Sequence, residues 1–113
     1  MNVEENEILF IYNSSDQQER QTFAYAQSSK EYKVKELDVE KDKLTATQLV
    51  QLADLLDNED ELVKKDAPTT DLGENDFYEH LSRNLSNLNT PILVYIDKAK
   101  LIGSQYEMIK RFL

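Results

Sequence analysis

A chain of 113 residues with 22 acidic and 13 basic side chains has a formal net charge of −9; it is long enough for one hydrophobic core and too short for two. The surplus of carboxylates opposes approach to phosphate backbones and anionic lipid heads, so direct nucleic-acid or membrane binding is disfavoured and a protein partner is favoured. The absence of cysteine removes disulfides, thiolate nucleophiles and thiolate metal sites together.

No apolar run approaches the roughly 18 to 20 residues that cross a bilayer. The opening Met1-Asn2-Val3-Glu4-Glu5-Asn6-Glu7 is acidic where a secretory leader is basic and then apolar, so a cytoplasmic location is expected. Ile8-Leu9-Phe10-Ile11-Tyr12 follows, a short run of β-formers ended by Asn13-Ser14-Ser15, and reads as a buried strand. Ser15 with Gln18 three positions later fits a capping box opening a helix to about Lys30, with Phe23, Ala24 and Ala26 as its buried face. Residues 32–39 alternate, with Tyr32, Val34 and, after a slip in the pattern, Leu37 turned inward; this predicts a second strand at a sheet edge.

Thr45-Ala46-Thr47-Gln48 repeats the capping-box pattern, and Leu49, Leu52, Ala53 and Leu56 at i, i+3, i+4 and i+7 share one helical face. Asn58 with Glu61 caps a shorter helix carrying Leu62 and Val63 and ended before Pro68, within a stretch, 66–73, rich in turn formers. Phe77, Leu81, Leu85 and Leu88 recur at four, four and three residues behind acidic Glu74 and Asp76, which predicts another amphipathic helix. Residues 91–96 read as a strand, Asp97-Lys98 as a turn, and 99–102 as the returning strand of a hairpin before Gly103. Ser104 with Glu107 opens a final helix, with Tyr106, Ile109 and Phe112 or Leu113 facing the sheet. This order gives a βαβ unit and a ββα unit sharing one mixed sheet, in a single α/β domain spanning 1–113.

Few residues carry chemistry. His80, the one histidine, has no second imidazole for a metal site and sits in the late helix as a partly exposed residue. Ser14 and Ser15 read as cap residues, because no histidine or glycine-rich elbow adjoins them to make a nucleophile. Asp16 and Glu19, three apart at a helix start, suit the positive end of the dipole; they would point the same way instead of flanking a substrate. Metal binding by the pair would need oxygen ligands that no neighbouring pattern fixes, so neither metal nor cofactor is expected. Arg20 is placed to pair with Asp16 or Glu19, or with a partner's acid. Six tyrosines are many for one domain, and a Tyr-lined groove beside Pro91 would suit a peptide.

The chain resembles the arsenate reductase (ArsC)/Spx family over nearly its whole length. The redox members of that family carry Cys-x-x-Cys-Arg or Cys-x-x-Ser-Arg at the start of the first helix; the same spacing here reads Asp16-Gln17-Gln18-Glu19-Arg20. Asp16 takes the nucleophile's place, Glu19 that of the second thiol or serine, and Arg20 keeps the basic residue. The preceding Tyr12-Asn13-Ser14-Ser15 is one residue shorter than the family's loop and lacks its proline. The family's Arg-Pro-Ile before the third strand reads Thr90-Pro91-Ile92, and Leu101-Ile102-Gly103 and the ending Glu107-Met108-Ile109-Lys110-Arg111-Phe112-Leu113 also match. The resemblance implies a thioredoxin-like fold, a mixed four-stranded sheet flanked by helices with a helical insertion, and a cis peptide before Pro91.

In that family the helix start lowers a thiolate pKa and holds an oxyanion; here two fixed carboxylates meet the same amides, so the site is expected to be self-neutralised. The expected function is therefore a non-redox domain acting through contact with an unidentified protein partner, by the face formed by Ser14, Ser15, Asp16, Glu19, Arg20, Thr90 and Pro91. The alternative is a binding protein for a small thiol such as glutathione, or an enzyme of the arsenate reductase/glutaredoxin-like type, holding its ligand by backbone groups beside Pro91 without using a cysteine of its own. Thiol-dependent arsenate reduction is expected to be absent.

Overall fold

The computed structural model describes residues 3–56, 59–64 and 74–102. The predicted turn-rich stretch 66–73 and the predicted final helix from Ser104 lie outside the described residues. The elements are β1 (Glu7–Tyr12), α1 (Gln17–Gln27), β2 (Lys33–Asp38), α2 (Ala46–Leu55), a 3-10 helix (Glu59–Leu62), α3 (Glu74–Arg83), a second 3-10 helix (Leu85–Asn87), β3 (Ile92–Val94) and β4 (Ala99–Leu101).

The strands form one mixed sheet in the order β2-β1-β3-β4. β1 runs parallel to β2, with Ile8 opposite Val34 and Tyr12 opposite Asp38, and antiparallel to β3, with Leu9 opposite Val94 and Ile11 opposite Ile92. β4 pairs back on β3 with Val94 opposite Ala99. A strand paired on both edges and covered on both faces has no polar side, which is why β1 reads as a continuous apolar run. Ile8, Phe10 and Ile11 are fully buried. Ile8, Phe10, Tyr12 and Leu93 face α1 through Ala26 and Phe23; Ile11, Ile92 and Val94 face the opposite layer, built from Leu49, Leu52 and Ala53 of α2, Leu81 of α3 and the flanking Leu62 and Leu88. That second layer is the helical insertion between β2 and β3.

Several boundaries differ from the sequence expectation. α1 is capped by Asp16, whose carboxylate accepts the amides of Gln18 and Glu19, while the Ser15 hydroxyl is turned to Asn13 Oδ1 at 2.6 Å. The buried face of α1 carries Thr22 in place of Ala24, which is exposed, and the Thr22 hydroxyl is satisfied by the Gln18 carbonyl at 2.8 Å. No slip occurs in β2: Val34 packs on the α1 side and Leu37 on the other, because a two-covered edge strand can place apolar residues on both faces. The capping box of α2 is present, with Thr45 and Gln48 exchanging both hydrogen bonds.

α3 stops at Arg83, where the Asn84 side chain turns back to the His80 carbonyl at 2.9 Å. Leu85 therefore lies in a 3-10 turn and Leu88 in extended backbone. The strand expected over 91–96 is Ile92–Val94 only. The Tyr95 amide donates to the Lys98 carbonyl at 2.7 Å, which places the turn at Ile96-Asp97, one residue earlier than expected. Among the described residues, no helix is long and apolar enough to cross a membrane.

Candidate functional site

The C-terminal end of β1, the start of α1 and the turn before β3 converge at one end of the sheet. The Thr90–Pro91 peptide is cis, as the resemblance implied. Pro91 is buried and its carbonyl accepts the Ile102 amide at 2.9 Å, so it shapes the turn and presents no surface of its own. Ser15, Asp16 and Arg20 are exposed, and Ser14, Glu19 and Thr90 are partly buried.

Asn13, which the sequence reading did not single out, organises the loop. Its side-chain oxygen accepts the Ser15 amide at 2.9 Å and the Ser15 hydroxyl, while its carbonyl accepts the Asp16 amide at 3.1 Å. An asparagine that ends a strand ahead of Ser-Ser-Asp is the sequence signal for such a turn. Asp38, at the end of β2 and only 2% exposed, was missed as well. It accepts the Ser14 amide at 3.1 Å and the Glu40 amide at 3.0 Å. Burial alone would raise the Asp38 pKa, but these bonds, the Ser14 side chain and the charge of Lys41 hold it below the usual value.

The carboxylates at the helix start are equally committed. Asp16 Oδ1 accepts from the amides of Gln18 at 2.9 Å and Glu19 at 3.1 Å, and its carbonyl accepts from the Arg20 amide at 3.1 Å. Glu19 Oε1 accepts from the Asn13 amide at 3.0 Å. Burial pushes the Glu19 carboxyl up; hydrogen bonds from Thr90 and Asn13 oppose this, Asp16 adds repulsion, Lys64 attracts, and the balance leaves the pKa raised. Arg20 Nη1 donates to the Ser14 carbonyl at 2.6 Å, not to the carboxylates the sequence suggested. The amides of Asn13, Ser14, Ser15, Asp16, Gln18, Glu19 and Arg20 thus all end on acceptors of the same chain. In a thiol enzyme or an oxyanion site these are the donors that must be left for the ligand.

Tyr12 borders the loop but is no acid or base near neutrality: burial and the Glu36 carboxylate, to which its hydroxyl donates at 2.6 Å, raise its pKa. Its ring stacks on Phe23 at 4.7 Å. Among the described residues, the expected tyrosine groove beside Pro91 is not formed. Tyr12 and Tyr78 are buried, and Tyr32 and Tyr95 meet edge-to-face in a cleft of about 370 Å³ lined also by Ile96 and Lys98, at the end of the sheet away from Pro91. Tyr106 lies outside the described residues. Among the described residues, no group of three or more His, Cys, Asp or Glu is placed to hold a metal ion.

No family model matches the chain, and no curated protein does. Solved structures match it in shape. A putative arsenate reductase from Yersinia pestis superposes with a TM-score of 0.76 at 14% identity, over 91% of this chain and 98% of its own. An arsenate reductase from Vibrio cholerae gives 0.76 at 11% identity, over 99% of this chain and 100% of its own. At such identities the likeness establishes the fold: this chain has the arsenate reductase-like, thioredoxin-like arrangement, without a cysteine.

Proposed function

We propose that this protein is a non-redox domain on an arsenate reductase-like fold, acting through protein–protein contact at the face that carries Ser14, Ser15, Asp16, Arg20 and Thr90. The observation that carries this reading is that, in a chain without cysteine, the amides of Asn13, Ser14, Ser15, Gln18 and Glu19 around the start of α1 are engaged by the side chains of Asp16, Glu19, Asp38 and Asn13. Most of the donors that would hold a thiolate or an added oxyanion there are taken by the chain itself. What remains is a surface of fixed shape, with an exposed carboxylate and an exposed guanidinium on a loop held by hydrogen bonds to β2 and α1. Such a surface suits recognition by a protein partner more than chemistry on a small molecule.

The test is a cross-linked pull-down from native lysate, comparing the wild-type chain with an Asp16→Asn, Arg20→Gln double variant that retains the helix cap. The expected result is a specific protein retained by the wild type and lost by the variant. Retention unchanged in the variant, or no protein retained together with saturable binding of a small thiol such as glutathione, contradicts the reading; the latter outcome favours the ligand-binding alternative.

A further inference from the structure

The two edges of the sheet are finished differently. On the outer side of β4, Leu56 bridges Ala99 in parallel, so that edge carries further chain. β2 has no strand on its outer side. The amides of Lys33 and Val39 donate inward, to the Asn6 carbonyl at 2.8 Å and the Tyr12 carbonyl at 2.9 Å. This fixes the alternation along the strand, and the backbone groups of Tyr32, Val34, Glu36 and Asp38 point outward. At both ends they are used within the chain. The Tyr32 amide donates to Ser29 Oγ at 3.3 Å; the Asp38 amide donates to Asp42 Oδ2 at 3.0 Å, and its carbonyl accepts the Lys41 and Asp42 amides. Between them, Val34 and Glu36 each leave an N–H and a C=O without a partner among the described residues, a slot for one short extended segment.

The side chains beside this slot differ between its two sides. On the side of the helical insertion, Lys33 and Lys35 are exposed and share one carboxylate, Glu7, which pairs with Lys35 at 3.2 Å and also attracts Lys33. One positive charge is left over there. On the α1 side, Val34 packs half-buried against the core, and Glu36 next to it accepts the Tyr12 hydroxyl.

We propose that the β2 edge takes an extended segment of a partner protein as an added strand, with acidic side chains opposite Lys33 and Lys35 and an apolar one between them opposite Val34. Opposite charges directly across a strand pair stabilise it and like charges do the reverse. The lysines therefore select an acidic segment and oppose a second copy of the chain, which in antiparallel pairing sets lysine beside lysine. The strand ends where Asp38 holds the Ser14 amide, so a docked segment finishes beside the face from Ser14 to Arg20. The edge stands on its own pairing geometry, however, and binds or fails to bind independently of any contact at that face.

The probe is the capped peptide Thr-Glu-Val-Glu-Thr, which reads the same in both directions and so fits a parallel or an antiparallel strand. It is titrated into the isotope-labelled full chain at constant pH and ionic strength and followed by NMR. The Val34 and Glu36 amides are expected to shift saturably and, with roughly nine molecules in ten occupied, to exchange with solvent about ten times more slowly, because exchange then proceeds from the unoccupied remainder. The same peptide with lysine in place of both glutamates is expected to bind the wild type more weakly, and Lys33→Glu to narrow or reverse that preference. Four results overturn the proposal: saturable shifts confined to residues 13–20, Val34 and Glu36 amides that stay unprotected, equal binding of the two peptides, or Val34 and Glu36 signals that move with protein concentration alone, as a second copy would make them. The comparison of the two peptides on the wild-type chain decides the matter even if Lys33→Glu folds poorly.

Discussion

Asp16 and Asp38 hold the loop from opposite sides, and their roles separate by chemistry. Asp16 is an exposed helix cap, so Asp16→Ala is expected to lower unfolding free energy by about 1 kcal/mol, whereas Asp16→Asn, another good cap, changes it by a few tenths at most. Urea denaturation of the two variants distinguishes a cap from a charge with some other task. Asp38 is buried and receives two amides, so Asp38→Ala strands those donors and is expected to cost about 1–3 kcal/mol near neutral pH. Its folded pKa lies below the ordinary 3.8. The stabilisation is therefore full above that value and is lost as pH falls through the folded pKa, and denaturation midpoints of wild type and Asp38→Ala should converge in acid. Of the residues that sequence reading missed, Asn13 and Thr22 are satisfied locally, by Ser15 and by the Gln18 carbonyl. Residue type assigns Asp38 to the surface, and only the register that sets Tyr12 beside it brings it to the Ser14 amide.

Among the elements, those that sequence placed well are those where local and tertiary signals agree. β1 is apolar from Ile8 to Tyr12 because it is an inner strand, and α2 combines a capping box with an apolar stripe. Leu49 is fully buried and Val50 is exposed. Leu49→Ala is accordingly expected to cost about 2–5 kcal/mol and Val50→Ala within about 0.5 kcal/mol, compared by thermal or urea unfolding. The misplaced boundaries arose where two signals competed. Ser15 and Asp16 both suit a cap, and the carboxylate accepts two amides while the serine is drawn to Asn13. The spacing from Phe77 to Leu88 is helical throughout, but Asn84 ends α3 and leaves Leu85 and Leu88 to pack from other backbone conformations. β2, the edge strand, is charged at Lys33, Lys35 and Glu36. A second copy added antiparallel about a two-fold axis normal to the sheet would pair residues of like parity, setting Lys35 against Lys35 or Glu36 against Glu36. That edge is therefore poorly suited to self-association.

In the whole molecule, an arsenate reductase-like fold is built by a chain without cysteine. The chain superposes at TM-scores of 0.76 on the structures of an arsenate reductase and a putative one, with a sheet in the order β2-β1-β3-β4 and a cis Thr90–Pro91 peptide. The order of elements and the Thr90-Pro91-Ile92 match made that much legible in the sequence. The absence of cysteine and the acidic helix start at Asp16 and Glu19 were legible too, but the hydrogen bonding of the loop was not, since it depends on Asp38 arriving from a distant segment. Whether the start of α1 is closed to anions is tested most directly by titrating isotope-labelled protein with arsenate at constant pH and ionic strength, following the amides of residues 13–20 by NMR. Self-occupation by the chain's own carboxylates predicts no saturable shift at those amides beyond that produced by chloride. A saturable, arsenate-specific shift centred on Asn13 to Arg20 would contradict it.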